Sequence, residues 1–155
     1  MRKEFKRVMS FVSKGLAMLL IIICVQSVIA GDKPNSKFGG VQVGAITYSF
    51  RSMPDQSLVA ILGYSVKAGL SSVELMGTPV EQYAGIPESK DSEVLKKWRT
   101  SVSMDKFREI RKMFDKKGVK IHILKLGSHT WSDGEIDYAF NVCRVLGARG
   151  ITMEV

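Results

Sequence analysis

The sequence predicts an α/β domain in which parallel strands alternate with helices. From residue 41 onward, a short apolar segment, a loop, an amphipathic segment and a glycine follow one another three times, and a fourth apolar segment comes last. The glycines fall in three similar joints, at residues 67–70, 116–119 and 147–150, where a helix would end and the next strand begin. Strands and helices that alternate in this way form right-handed crossovers and a parallel sheet covered by helices.

The spacing of apolar residues predicts the individual strands and helices. Short apolar runs with few polar interruptions predict strands at residues 41–48, 72–76, 119–126 and 151–155. Apolar residues at every third or fourth position predict three helices, with core stripes of Leu58, Ile61, Leu62 and Val66, of Met104, Phe107, Ile110 and Phe114, and of Ile136, Phe140, Cys143 and Leu146. A short helix is also predicted at residues 91–99, and Ser132 with Glu135 matches a capping box.

Residues 1–30 have the composition of a secretory signal peptide. A basic segment ends at Lys14, an uncharged apolar run covers residues 16–25, and Ala30 precedes the expected cleavage site. The run is shorter than the ~20 residues that span a bilayer, so we expect cleavage, with an uncleaved anchor as the alternative. This predicts a periplasmic or secreted protein, exported by a Sec-type signal, with a linker at residues 31–40 and no membrane span after cleavage.

The net charge of +8 does not indicate a nucleic-acid partner. Five of the 23 basic residues and one of the 15 acidic residues lie in the signal segment, which leaves +4 for the remainder. The basic residues between positions 106 and 117 fall opposite an apolar stripe, as on any solvated helix face. Cys143 would be the only cysteine after cleavage, so no disulfide is expected, and its place on an apolar stripe indicates a buried thiol.

Three segments resemble the xylose isomerase-like TIM-barrel family of sugar phosphate isomerases and epimerases. They are residues 41–51 (VQVGAITYSFR), 68–76 (AGLSSVELM) and 146–152 (LGARGIT), which are similar to the family's first, second and fourth strand regions. The resemblance implies a parallel (β/α)8 barrel, of which residues 41–155 would supply the N-terminal half, about four β/α units. The pattern by itself leaves an open doubly wound sheet as the alternative.

The resemblance also implies an activity. Family members transfer a proton beside the carbonyl of a sugar or sugar phosphate, while a divalent metal of the Mn, Mg, Zn or Co class holds the substrate oxygens. The family's metal ligands come mainly from strands five to eight, so no metal ligand and no catalytic residue is assigned in this chain. We expect the chain alone to be an inactive fragment. The alternative is a non-catalytic carbohydrate-binding or half-barrel assembly module that pairs as a homo-oligomer.

Ligands of a β/α barrel bind at the carboxyl ends of its strands. This rule gives six candidate substrate-binding residues, Tyr48, Arg51, Glu74, Lys125, His129 and Glu154. Glu74 stands in an apolar strand, where a carboxylate is costly unless paired, so a ligand and a nearby basic side chain are its two alternative partners. His122 alternates with isoleucines, which favours a core or helix-facing histidine over a metal ligand.

Overall fold

The structure is a computed structural model that describes residues 33–154. The elements in chain order are β1 (Lys37–Phe38), β2 (Val41–Gln42), β3 (Ala45–Ile46), a 3-10 helix (Thr47–Phe50), α1 (Leu58–Lys67), β4 (Ser72–Met76), α2 (Gly77–Ala84), α3 (Ser92–Ser101), α4 (Asp105–Lys117), β5 (Lys120–Ser128), α5 (Asp133–Leu146) and β6 (Gly150–Glu154). The signal peptide predicted at residues 1–30 lies outside the described residues.

Strands β3, β4, β5 and β6 form one parallel sheet in that order. Leu75 lies opposite Leu124, and Leu124 lies opposite Ile151 on the next strand. Because the strand order never reverses, each right-handed crossover advances in the same direction and places its helix on the same face. The α/β class and the parallel sheet that the sequence predicts are therefore confirmed.

One hydrophobic core lies between the helices and one face of the sheet. The strands contribute Val73, Leu75, Leu124 and Leu126, at alternate positions. The helices contribute Leu58, Ile61, Leu62, Val80, Phe107, Ile110, Phe114, Tyr138, Ala139, Val142, Cys143 and Leu146. The intervening strand positions point to the opposite face, where Glu74 and Lys125 are half-buried and Thr152 is exposed. We call this surface the open face.

The predicted core stripes are confirmed for the first two helices and wrong at two positions of the last, where Ile136 is only half-buried and lies outside the core. Phe140, expected in the core, is 56% exposed, whereas Tyr138, Ala139 and Val142 are buried. Successive helix residues are separated by about 100°, so a stripe centred on Ala139 and Val142 turns Phe140 away from the sheet. The capping box of Ser132 and Glu135 is present.

The first predicted strand, residues 41–48, is divided into separate elements. Val41 and Gln42 pair with β1 in an antiparallel hairpin, β3 alone joins the parallel sheet, and Tyr48 lies in the 3-10 helix. Gly39 and Gly40 form the hairpin turn with φ of +53° and +85°, the left-handed conformation that tight hairpins require. Residues 37–40 of the expected linker therefore belong to this hairpin.

Helix α2 is absent from the sequence-based prediction, because Gly77 and Pro79 are typical of a loop. Pro79 is the third residue of the helix, in the first turn, where its missing N–H has no helical acceptor to bond. Val80, one residue further, is fully buried and brings the helix against the core.

Ser36 anchors the hairpin to the sheet, and its loss is expected to lower stability. Its Oγ donates to the Val43 carbonyl oxygen at 2.7 Å and accepts from the Ser71 N–H at 2.9 Å, and the residue is 4% exposed. Ser36→Ala leaves buried polar groups unbonded, which should reduce the free energy of unfolding by roughly 1–3 kcal/mol in urea titrations. Exposed Ser49→Ala is the control, and an equal effect of both variants would contradict this anchoring role.

Candidate functional site

Two of the six predicted site residues, Glu74 and Lys125, lie on the open face on neighbouring strands. Thr152 of β6 donates a hydrogen bond from Oγ1 to Glu74 Oε1 at 2.6 Å, reaching across β5. In the strand register, Lys125 lies opposite Met76 on one side and Thr152 on the other. The open face therefore brings a carboxylate, an ammonium group and a hydroxyl together near the carboxyl half of the sheet. Such groups can bind the hydroxyls or anionic oxygens of a polar ligand.

Tyr48 and Arg51 form a second pair, in and just after the 3-10 helix that follows β3. The Arg51 guanidinium carbon lies 4.8 Å from the centre of the Tyr48 ring, a cation–π contact. Arg51 Nη1 also donates to the Tyr48 carbonyl oxygen at 3.4 Å. Both side chains are exposed, so they are accessible to a ligand at the end of β3.

The other two candidates lie at the ends of β5 and β6. His129 is exposed in the turn after β5, next to a hydrogen bond between the Ser128 and Thr130 hydroxyls at 3.0 Å. The backbone of Glu154 pairs with Ser128, so Glu154 belongs to the same edge of the sheet. All six candidates therefore follow or occupy the carboxyl halves of parallel strands, and Tyr48 and Arg51 contact one another directly.

Of the two interpretations of His122, the core residue is wrong, whereas a helix-facing position agrees with a hollow that His122 lines together with Arg111 and Phe114 of α4. Ile121 pairs with Val73 and Ile123 pairs with Glu74, so His122 is the extra residue of an irregularity in the ladder. The side chain is exposed and lines two hollows, of about 270 and 240 Å³, near the amino-terminal ends of the strands. Strict alternation along β5 would have placed it in the core, and the register shift prevents this.

A buried ionic cluster, not predicted from the sequence, joins three helices. Arg99 of α3 binds Glu81 of α2 through Nε at 2.8 Å and Nη2 at 3.2 Å, and binds Glu135 of α5 through Nη1 at 3.1 Å. The Arg99 guanidinium also lies 4.1 Å from the Trp131 ring centre. The Tyr138 hydroxyl donates to Glu81 Oε1 at 3.2 Å. We call these five residues the Arg99 cluster.

The surroundings of the Arg99 cluster shift the pKa of three of its members. Burial alone would lower the pKa of Arg99, but Glu81 and Glu135 outweigh it and raise that pKa. Burial alone would raise the pKa of Glu135, yet the hydrogen bonds from Ser132 and the Arg99 guanidinium bring it below its usual value. Burial and the Glu81 carboxylate raise the pKa of Tyr138, so its hydroxyl stays a proton donor.

The Arg99 cluster is organised as a structural unit. Both Glu81 oxygens accept from Arg99, and Glu135 is shared between Arg99 and the Ser132 cap. A hollow of about 400 Å³ lies beside it, with Lys90, Lys96 and Thr130 on its wall. Because both carboxylates are already bonded, neither is available as a general base, and we assign the cluster to the stability of the helix layer.

The residues present do not fit the divalent metal that the family resemblance implies. Between residues 33 and 154, no three or more His, Cys, Asp or Glu side chains are grouped closely enough to hold a metal ion. On the open face, the Thr152 hydroxyl donates a hydrogen bond to Glu74. In the same part of the chain, no helix is long and apolar enough to cross a membrane.

No protein-family model, curated protein sequence or solved structure matches this chain.

Proposed function

We propose that this chain forms the first four β/α units of a xylose isomerase-like barrel and binds a sugar or sugar phosphate. The strand order carries the proposal. An open doubly wound sheet reverses its order at a switch point, whereas β3-β4-β5-β6 advances in one direction with a single core on one face. A barrel requires this arrangement, because its helices form an outer ring and its other sheet face turns inward.

The open face supplies groups suited to a polyhydroxylated ligand. Glu74 accepts hydrogen bonds from hydroxyls, as it does from Thr152, and Lys125 offers an ammonium group to a carbonyl or phosphate oxygen. Tyr48 presents an exposed ring at the end of β3, a group on which the face of a sugar can stack. In a complete barrel the chemistry would be isomerisation or epimerisation, with metal ligands from residues outside this chain. Export through the predicted signal peptide would place the protein in the periplasm or outside the cell.

A second candidate function is a non-catalytic half-barrel that assembles with another copy. Within the described residues, the outer edges of β3 and β6 pair with no strand. Two copies related by a twofold axis along the barrel would bring β6 of one copy beside β3 of the other, in parallel, and would give eight strands. Sedimentation of the purified chain tests this, since a compact dimer supports assembly and a monomer contradicts it.

The sugar-binding proposal predicts that Glu74→Gln weakens the binding of pentoses, ketoses and their phosphates. Replacing a charged acceptor by a neutral one should raise the dissociation constant roughly tenfold or more, measured by ligand-observed NMR with the purified chain. Glu88→Gln, in an exposed loop, is the matched control and should leave binding unchanged. The absence of binding by the folded chain, or equal binding by both variants, would contradict the proposal.

A further inference from the structure

The amino-terminal end of the parallel sheet carries a surface of exposed basic residues. Because the strands are parallel, helices α1, α4 and α5 all end at this edge, and β5 and β6 begin there. The basic side chains are Lys33, Lys37, Lys67, Lys116, Lys117, Lys120, Arg144 and Arg149, and all are exposed. We call this surface the basic end.

The basic end has little local compensation of its charge. Within the described part of the chain, none of these eight residues forms an ion pair. Asp115, in the last turn of α4, is bound by Arg111 Nε at 2.9 Å and so does not neutralise a neighbouring lysine. Charges left uncompensated on one surface produce a positive field that attracts polyanions.

The hairpin of β1 and β2 is fixed to this same end. Lys33 packs against Gly118, where an added Cβ would lie 2.8 Å from the Lys33 Cβ. Ser36 N–H donates to Ser71 Oγ at 3.0 Å, directly before β4. The first residues of the described chain are therefore tied to the loops that precede β4 and β5.

The hairpin presents apolar side chains to solvent. Phe38 and Val41 are each 66% exposed and lie opposite one another across the two strands, so they project from the same side. Val43, two residues after Val41, is also exposed. This apolar pair flanks the Gly39–Gly40 turn and lies beside the basic end. Packing within the described residues gives no reason for its exposure.

A hollow of about 270 Å³ opens at the basic end between α4 and the starts of β5 and β6. Its wall includes Arg111, Lys120, His122 and Arg149. Asp115 also lines the hollow and pairs with Arg111, so Lys120, His122 and Arg149 are the side chains that can meet one phosphate group. The surface thus combines separate positive charges, a phosphate-sized hollow and an apolar projection.

We propose that the basic end docks the protein onto an anionic phospholipid bilayer, with Phe38 and Val41 entering the interfacial layer. Lysines near an anionic membrane surface each contribute about 1 kcal/mol to binding, and apolar side chains add to this when they leave water. A nucleic acid would use the same positive charges but not an apolar hairpin.

Flotation with lipid vesicles tests this docking surface in the full chain. The variant replaces Lys116, Lys117 and Lys120 by glutamine, and the matched control replaces Lys90, Lys97 and Lys106, three exposed lysines of other surfaces. Each lysine is expected to raise the partition coefficient about fivefold. On phosphatidylcholine vesicles containing 30% phosphatidylglycerol, the variant should therefore have a partition coefficient roughly 100-fold lower than the wild type, and the control should change little. Residues 1–32 are common to all three proteins, so their own lipid binding cancels in the comparison.

Two further measurements complete the test. Phe38→Ser combined with Val41→Ser should lower partitioning on the same vesicles by about tenfold or more, while the circular dichroism spectrum stays unchanged. Salt should weaken binding of the wild type more than binding of the lysine variant. Equal partitioning of the lysine variant and its control would overturn the proposal. So would a result in which the wild type binds duplex DNA through these lysines and shows no preference for anionic vesicles.

Discussion

Arg99→Met is expected to destabilise the protein by about 3–5 kcal/mol, because it leaves the Glu81 and Glu135 carboxylates buried without their cation. The Arg99, Glu81 and Glu135 side chains are 11%, 9% and 8% exposed, so water cannot replace the lost ion pairs without a rearrangement. Methionine keeps much of the side-chain volume beneath Trp131, which limits the change to charge and hydrogen bonding. Urea unfolding followed by tryptophan fluorescence measures the difference at neutral pH.

Lys97→Met on the same helix provides the control, since Lys97 is exposed and its loss should change stability by less than about 0.5 kcal/mol. Similar unfolding free energies for the two variants would show that the Arg99 cluster contributes nothing beyond a surface charge. A double variant, Arg99→Met with Glu81→Gln, should recover part of the loss because it removes one of the stranded charges.

The pH dependence gives an independent readout of the Arg99 cluster. The pKa of Glu135 is lowered in the folded protein from the 4.5 of an isolated carboxyl, so its stabilising contribution is complete above about pH 4.5. That contribution is lost as the pH falls through the folded-state pKa. In Arg99→Met, Glu135 stays buried without its cation and is favoured by protonation, so the stability gap between wild type and variant should narrow as the pH falls from neutrality through about 4.5. A gap that stays constant from pH 7 to pH 3 would argue against a charge-based origin.

Much of the fold could be predicted because local periodicity and sheet burial agree along most of the chain. The predicted strand at residues 72–76 matches β4 at both ends, and the stripe of Phe107, Ile110 and Phe114 is buried as expected. The first strand could not be predicted with the same accuracy. Residues 41–48 are apolar enough for a continuous strand, but the Gly39–Gly40 turn pairs Val41 with Phe38 in a hairpin instead. The periodicity of the sequence does not indicate this pairing.

The Arg99 cluster could not be predicted because it depends on a helix that the sequence pattern does not predict. Glu81 lies in α2, where Gly77 and Pro79 are typical of a loop, so the sequence places Glu81 on no helix face. Glu135 is recognised from the sequence as part of a capping box, and its second oxygen is available to a distant arginine only after α3 packs beside α5. An ionic contact between residues 36 positions apart has no local sequence pattern. The cluster is visible only in three dimensions.

The open face shows the same limit for the candidate site. An isolated glutamate in an apolar strand indicates that Glu74 has a polar partner, and the sequence offers a ligand or a basic side chain as alternatives. The structure supplies a third partner, the Thr152 hydroxyl on a strand two positions away in the sheet. A hydroxyl satisfies one carboxylate oxygen without neutralising the charge, so Glu74 retains the capacity to accept hydrogen bonds from a ligand.

Two phenylalanines test the rotation of the last helix directly, and the first is expected to have the larger effect. Phe107 is fully buried and its ring meets the Tyr138 ring edge to face, with centroids 6.0 Å apart, so Phe107→Ala should cost about 3–5 kcal/mol of unfolding free energy. Phe140→Ala should cost less than about 0.5 kcal/mol, because that ring already faces solvent. Urea titrations of both variants under identical conditions give the two values.

The comparison separates two packings of the same helix. The periodicity of the sequence alone assigns Phe140 to the core and predicts similar, large losses for the two variants. The structure instead buries Tyr138, Ala139 and Val142, so that the Tyr138 ring reaches Phe107 while its hydroxyl reaches Glu81. A large loss for Phe140→Ala would mean that α5 is rotated by about one residue, and then neither the Tyr138 contact nor its hydrogen bond to the Arg99 cluster could form.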